Sequence, residues 1–242
     1  MFEKYLDDYY KSKIGVKEIC KLVDSSPTTF RRWLKKNNLT PRQEYLKFID
    51  TGIEGLNQTL RDRYSSIVNR CNGGTTDYYG HYAGKDYMPV YEWVDFCNKY
   101  KEQLREMWNV YLNYNKSSKY AISVDRINTE NGYTKDNMQF VTHGFNSWRR
   151  TVNPIRVTHE NKVSYFMSCE EASCFYGLRR QAIGECLSKK PYCIKGYDVT
   201  ETTISDVLDS KSLNNLSEYY ELLLLDENKK WDERKRWENN HR

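Results

Sequence analysis

The chain lacks the features that mark several common protein classes. Its seven cysteines are an odd number, and none forms a CxxC pair. Cys169 and Cys174 come closest, with no second pair to complement them. This spacing argues against a zinc ribbon and against a disulfide framework, and it points to buried free thiols in a reducing compartment. No apolar run approaches the length that crosses a bilayer, and "MFEKYLDDYY" at the start carries charge where a secretion signal would be apolar. A cytoplasmic protein without membrane association is therefore expected. Hydrophobic residues are scarce, at 38% against 29% charged, so the core must be modest and divided. At 242 residues the chain suits two or three small domains.

Aromatic residues are plentiful, with 21 Tyr and 6 Trp. Tyrosine combines a ring for packing or base stacking with a hydroxyl for phosphate, which suits a wet interface. The net charge of +5 is unevenly spread. From Glu201 onward there are 7 Lys+Arg and 10 Asp+Glu, so the first 200 residues hold 31 basic and 23 acidic groups, a net of +8. A basic body with an acidic-leaning tail favours a polyanionic partner.

Residues 15–26 read "GVKEICKLVDSS", and residues 27–38 continue as "PTTFRRWLKKNN". Val16, Ile19, Cys20 and Val23 recur at helical spacing. The turn-forming run from Asp24 to Pro27 breaks that helix, and Ser25 or Ser26 caps a second one with Pro27 in its first turn. The second helix turns Phe30, Trp33 and Leu34 inward and Arg31, Arg32, Lys35 and Lys36 outward. The pattern is that of a DNA-binding helix-turn-helix, although a helical hairpin with a solvated basic face has the same periodicity. Pro41, Gly52 and Gly55 place a linker over 46–56, after an N-terminal module over 1–45. A helix over 57–71, a Gly/Thr/Tyr-rich loop, and one long amphipathic helix from Val90 to Leu112 follow. After Pro154, "IRVTHENKVSYFM" alternates as a hairpin turning at His159–Asn161. Ser168 with Glu171 reads as a capping box. A helix ends at Gly177, a second short one begins with Arg179 and Arg180, and "YCIKGYDVT" closes the module as a strand. Residues 201–242 form a polar tail with a helical patch, in which Leu222–Leu225 could dock on the body or on a partner.

The chemistry concentrates in "ISVDRINTENGYTKDNMQFVT", residues 122–142. An apolar run ends on Asp125 and Arg126, loops, and returns through Asn137 into a second strand. Asn146 follows on a helix. Phosphodiester cleavage needs a non-bridging oxygen neutralised and a leaving oxygen stabilised, and one divalent cation can do both. Magnesium keeps most of its water, so one carboxylate and one amide carbonyl suffice as protein ligands. Asp125 and Asn146 supply that pair if the hairpin folds back on the helix. Each of these residues alone could equally cap a turn or sit in a helix without further role.

The stretch "SVDRINTENGYTKDNMQFVTHGFN" resembles the HNH, or ββα-metal, motif of phage and intron-encoded homing endonucleases. Upstream, "YAGKDYMPVYEW" is similar to the Tyr-Gly-Gly-Arg-Gly-Ile…Glu-Trp segment that precedes the motif in phage members. Downstream, "NKVSYFMSCEEASCFYGLRRQAIGECLSKKPYCIKGYDV" resembles the intron-encoded nuclease repeat, a small helix-turn-helix. The resemblance covers roughly residues 60–200, and the three parts in their usual order are more specific than any one alone.

It implies an α+β, modular chain. A central HNH domain over 57–153 is flanked by helix-turn-helix modules over 1–45 and 154–200, with the tail over 201–242. Asp125 and Asn146 would bind one Mg²⁺ or Mn²⁺, and Asn137 would organise the loop. The usual general base, His, is replaced by Arg126, which cannot accept a proton but can clamp a phosphate. The base must then come from His143, His81, Tyr82 or the cation's own water, with an imidazole preferred because it titrates nearest neutrality. Arg149 and Arg150 extend the helix toward DNA, with Trp148 either beside them or in the core. Arg179, Arg180 and Gln181 would read the target in the second module. The expected activity is cleavage or nicking of double-stranded DNA at a long site by a monomer, since linked modules raise effective concentration. The runner-up is a DNA-binding regulator built on an HNH domain that no longer cuts. An RNA-binding module fits less well, because no RNA-module pattern is present.

Overall fold

The structure is a computed structural model that describes residues 1–73, 82–179, 181–190 and 194–225. It is a mixture of helices and small antiparallel sheets, an α+β chain. Two compact units divide it, Met1–Asn146 and Ser147–Arg242. Among the described residues no helix is long and apolar enough to cross a membrane.

The first unit begins with α1 (Leu6–Tyr10), α2 (Val16–Leu22) and α3 (Pro27–Lys36). The break between α2 and α3 has the expected chemistry. Asp24 takes φ 47°, a region open to Asp, Ser26 accepts a hydrogen bond from the Thr29 N–H as N-cap, and Pro27 opens α3. Phe30 and Leu34 are buried, while Arg31, Arg32, Lys35 and Lys36 are exposed.

These helices do not stand apart as a module. Phe2, Phe30 and Trp33 form one aromatic cluster, and Tyr10 meets both Tyr45 and Tyr91 edge-on. The Tyr64 hydroxyl donates toward the carbonyls of Tyr10 and Met88. One hydrophobic cluster runs from Phe2 to Phe140, so the segment expected as a linker over 46–56 lies inside a single unit. The aromatic side chains explain this. Tyr9, Tyr10, Tyr64, Tyr87 and Tyr133 are buried, so part of the tyrosine excess builds core rather than a wet surface.

Next come α4 (Arg42–Tyr45) and α5 (Glu54–Cys71). The helix expected from Val90 to Leu112 is two helices, α6 (Val90–Lys99) and α7 (Lys101–Asn113). Tyr100 leaves helical geometry at φ −101°, ψ 19°. Its ring packs on Phe96 and Phe140, which anchors the corner in the core. The strands β1 (Ile122–Arg126) and β2 (Met138–Thr142) pair antiparallel, with Asp125 opposite Gln139 and Val124 opposite Phe140. The helix α8 (His143–Arg149) follows directly.

The second unit has a three-stranded sheet in the order β4-β3-β5, formed by β3 (Ile155–His159), β4 (Lys162–Phe166) and β5 (Tyr197–Glu201). Glu160 and Asn161 both take positive φ, the backbone of a two-residue hairpin turn that matches strand twist. Ile155 and Val157 face a core shared with α9 (Cys169–Phe175) and α10 (Ala182–Leu187) through Ala172, Ile183 and Cys186. Ser168 caps α9 by accepting from the Glu171 N–H, but the Glu171 carboxylate accepts from the Met167 N–H, one residue before the expected reciprocal donor. Helix α10 starts at Ala182, so Arg179 precedes it instead of lying within it, and Arg180 lies outside the described residues.

The tail is partly built into this unit. After α11 (Ile204–Ser210), residues 216–225 are helical. Tyr219 joins Met167 and Val207 in a small core, and Leu223 packs against it while Leu222 and Leu225 stay exposed. Trp148 stacks on Tyr219 and meets Tyr220, which gives it a core position in place of a DNA contact.

Candidate metal and nucleic-acid site

Strand alternation puts Ser123 and Asp125 on one face of β1 and Ile122, Val124 and Arg126 on the other. The second face packs against the apolar core, with Ile122, Val124, Met138 and Phe140 all buried there. The first face meets α8. The Asn146 side-chain amide donates to Ser123 Oγ at 2.9 Å and lies 3.5 Å from the Val124 carbonyl. A backbone carbonyl only accepts, so the amide nitrogen is the atom turned toward the strand and the carboxamide oxygen is not used in either bond. Asp125 is two residues along from Ser123 on the same face, roughly 7 Å in strand spacing. The fold thus brings Asp125 and Asn146 to one side of the hairpin.

Asp125 is only 8% exposed. Its Oδ2 accepts from Gln139 Nε2 at 3.0 Å, across the strand pair. The oxygen donors here, one carboxylate and one carboxamide, match the preference of Mg²⁺ or Mn²⁺ for hard ligands with water filling the remaining positions. Among the described residues no group of three or more His, Cys, Asp and Glu could hold a metal, so a site of transition-metal type is not built there. Burial holds the Cys71 thiol up to about 11 and the Cys97 thiol well above its ordinary value, so neither is a thiolate ligand near neutral pH.

The loop between the strands is tied from four directions. Asn137 Oδ1 accepts from the Asn128 N–H at 2.8 Å, and its Nδ2 donates to the carbonyls of Asn128 and Gly132 at 2.9 and 2.8 Å. Arg126 donates to the Asn131 carbonyl at 2.9 Å. Lys85 Nζ reaches the carbonyls of Thr129 and Glu130 at 2.7 and 2.8 Å. Tyr133 bridges to Tyr87 through bonds with Asp86 and Met88. Sequence reasoning anticipated a loop-organising part for Asn137, but not the parts of Lys85, Gln139 and Ser123. Gln139 is legible once the hairpin register is drawn, because it falls opposite Asp125. Ser123 is legible from its two-residue spacing. Lys85 is far from the loop in sequence and leaves no local signal.

Arg126 is 7% exposed, and its guanidinium lies 4.5 Å from the Tyr82 ring centroid and 5.4 Å from that of Tyr133. Arg70 donates to the Tyr133 hydroxyl at 3.2 Å and lies 5.7 Å from the Tyr82 ring. Two cations and two stacked tyrosines therefore form one cluster beneath the loop. Arg126 serves that cluster and lies on the opposite strand face from Asp125, a different position from a clamp beside the carboxylate.

Of the candidate bases, His143 is exposed at the start of α8, where its N–H donates to the Ala121 carbonyl at 2.7 Å. It stands three residues before Asn146, on the same side of that helix. Tyr82 stands against Arg126 in the cluster, and His81 lies outside the described residues.

No family model matches the chain, and no curated protein or solved structure matches it either.

The residues expected to touch DNA divide by exposure. Arg31, Arg32, Lys35, Lys36, Arg150, Arg179 and Gln181 are exposed, and Arg149 is half-buried. None of the four cations on α3 forms an ion pair among the described residues, so that helix presents four charges without local neutralisation. If they contact phosphates, replacing all four by Ala lowers the slope of log K against log salt by about 3.6. A titration of retention on nonspecific duplex DNA between 50 and 200 mM salt checks this, and an unchanged slope removes α3 from the interface.

Proposed function

We propose that the chain is a DNA endonuclease that hydrolyses phosphodiester bonds with one Mg²⁺ or Mn²⁺, using an HNH-type ββα site flanked by DNA-reading helices. The observation that carries the reading is the seating of Asn146 on the strand face that bears Ser123 and Asp125. Hairpin and helix thereby offer a carboxylate and a carboxamide to one space. When bound, the cation would neutralise charge at the scissile phosphate. The residues of the chain orient it. Gln139 fixes the carboxylate rotamer, Ser123 fixes the amide, and Asn137 with Lys85 holds the loop that follows Asp125. His143 is the exposed imidazole nearest Asn146 in the chain and is assigned as proton acceptor for the attacking water.

The test is incubation of supercoiled plasmid with the full chain. Nicked or linear product is expected with Mg²⁺ and none with excess EDTA, and product of equal yield in EDTA overturns the metal reading. The placement of Arg126 supports a second reading. An arginine locked onto Tyr82 and Tyr133 is a structural element where a catalytic imidazole would be expected, as in a DNA-binding protein that no longer cuts. Cation-independent DNA retention with no cleavage at any metal concentration selects that reading.

A further inference from the structure

A second feature of the first unit lies at the other end of β1. Thr59, Asp62 and Arg63 of α5, Trp108 and Tyr111 of α7, and Ala121 and Ile122 line a cavity of about 230 Å³. Its volume is below that of a site for a drug-sized molecule and suits one flat group. The rings of Trp108 and Tyr111 stand 5.3 Å apart, tilted by 45°, and form one wall. Trp108 is held in place by close contact with Gly55 of α5, where an added Cβ would approach the indole to 3.1 Å.

The decisive observation is Arg63. Its Nε is buried and has no hydrogen-bond partner among the described residues. A buried donor left unmet costs about 1–3 kcal/mol, so it calls for an acceptor that the chain itself does not supply. Burial and the nearby charge of Arg70 both disfavour the guanidinium there. Asp62 adds a carboxylate acceptor on the same wall, already engaged at Oδ1 by Gln58.

An aromatic wall with one buried donor and one charged acceptor fits a planar heterocycle with acceptors and donors on its rim. It fits a phosphate poorly, because Asp62 would repel it. We propose that this cavity receives a single unpaired nucleobase of the bound DNA, stacked on Trp108 and Tyr111, with Arg63 Nε donating to it and Asp62 accepting from it. Guanine is the best match, because it carries ring acceptors and an exocyclic amino donor together. Ile122 lines the cavity, and Asp125 is three residues further along β1, roughly 10 Å away. The captured base therefore lies a few steps from the phosphate proposed to be cut, and its capture requires local unpairing. The inference deepens the DNA reading and shares its premise that the partner is a nucleic acid.

The experiment uses the full chain carrying Asp125→Ala, in EDTA, so the result is independent of any cleavage. Tryptophan fluorescence is titrated with each of the four deoxynucleoside 5′-monophosphates and with inorganic phosphate. Saturable quenching by dGMP is expected, with inorganic phosphate giving none. Arg63→Met and Trp108→Leu should each weaken it at least tenfold. Arg63→Met removes a donor that makes no internal bond, so its thermal midpoint should equal or exceed that of the parent, which separates lost binding from lost folding. Three outcomes overturn the proposal: inorganic phosphate competing as well as dGMP, quenching that survives in both variants, or no quenching by any mononucleotide. Failure of plasmid cleavage with intact dGMP binding would leave the cavity assignment standing and remove only the nuclease.

Discussion

Replacing Asp125 by Asn is expected to lower the cleavage rate by about 10²–10³-fold or more, while DNA retention stays within a few-fold of the parent. The substitution is nearly isosteric. It keeps an oxygen that can accept from Gln139 Nε2, so the cross-strand bond to β2 survives and stability should change by less than about 1 kcal/mol. What it removes is the negative charge, which a divalent cation needs far more than it needs a second amide. Binding of Mn²⁺ followed by electron paramagnetic resonance supplies a readout separate from turnover. The parent should bind the ion and Asp125→Asn should bind it at least tenfold more weakly. If Asp125→Asn cleaves and binds Mn²⁺ like the parent, the buried carboxylate is a structural partner of Gln139 and the hydrolytic reading falls.

The same prediction shows what local pattern can and cannot reveal. The alternation in "ISVDR" and "MQFVT" together with the turn-rich loop specifies an antiparallel hairpin. The helix-favouring run after Thr142 then has only one nearby strand face on which to lay a polar side chain. Asp125 and Asn146 were therefore legible as a pair before any coordinates. So was the capped start of α3, because Ser26 and Pro27 act on their own backbone. The separation of an N-terminal module was not legible. It depends on where Phe2, Phe30 and Tyr10 find partners, and the rings of Tyr45 and Tyr91 that receive Tyr10 are 35 and 81 residues away in sequence. Apolar periodicity says that a helix has a buried face and is silent on what buries it. Arg126 was misjudged for a related reason. Adjacency to Asp125 in sequence suggested a shared task, whereas the two-residue period of a strand sends neighbours to opposite faces.

Gly132→Ala is expected to damage both stability and the site, by an amount out of proportion to one methyl group. A Cβ at position 132 would lie 1.8 Å from the Asp86 carbonyl oxygen and 2.7 Å from its carbon. Both atoms are backbone, so no rotamer change relieves the clash, and the loop and the strand-like segment at Asp86 must part. That separation breaks the bond from the Tyr133 N–H to Asp86 at 2.9 Å and strains the bond from the Met88 N–H to Tyr133 at 3.0 Å. It also displaces the Gly132 carbonyl that Asn137 holds at 2.8 Å. Overpacking of this severity costs about 3 kcal/mol, and for a unit near 150 residues that corresponds to a fall of about 6–12 °C in thermal midpoint. Gly15→Ala is the control. Nothing lies within 4 Å of its Cβ and its φ is −90°, so it should shift the midpoint by no more than a degree or two. A further consequence separates two explanations of the loop's importance. If the loop matters only as packing, activity per folded molecule in Gly132→Ala should equal that of the parent once samples are compared below their midpoints. If the loop sets the direction of the Asp125 carboxylate through Asn137 and Arg126, activity falls even in the folded fraction. The second outcome follows from the hydrogen bonds, because every tie that Gly132 makes to the rest of the unit passes through residues adjoining the end of β1.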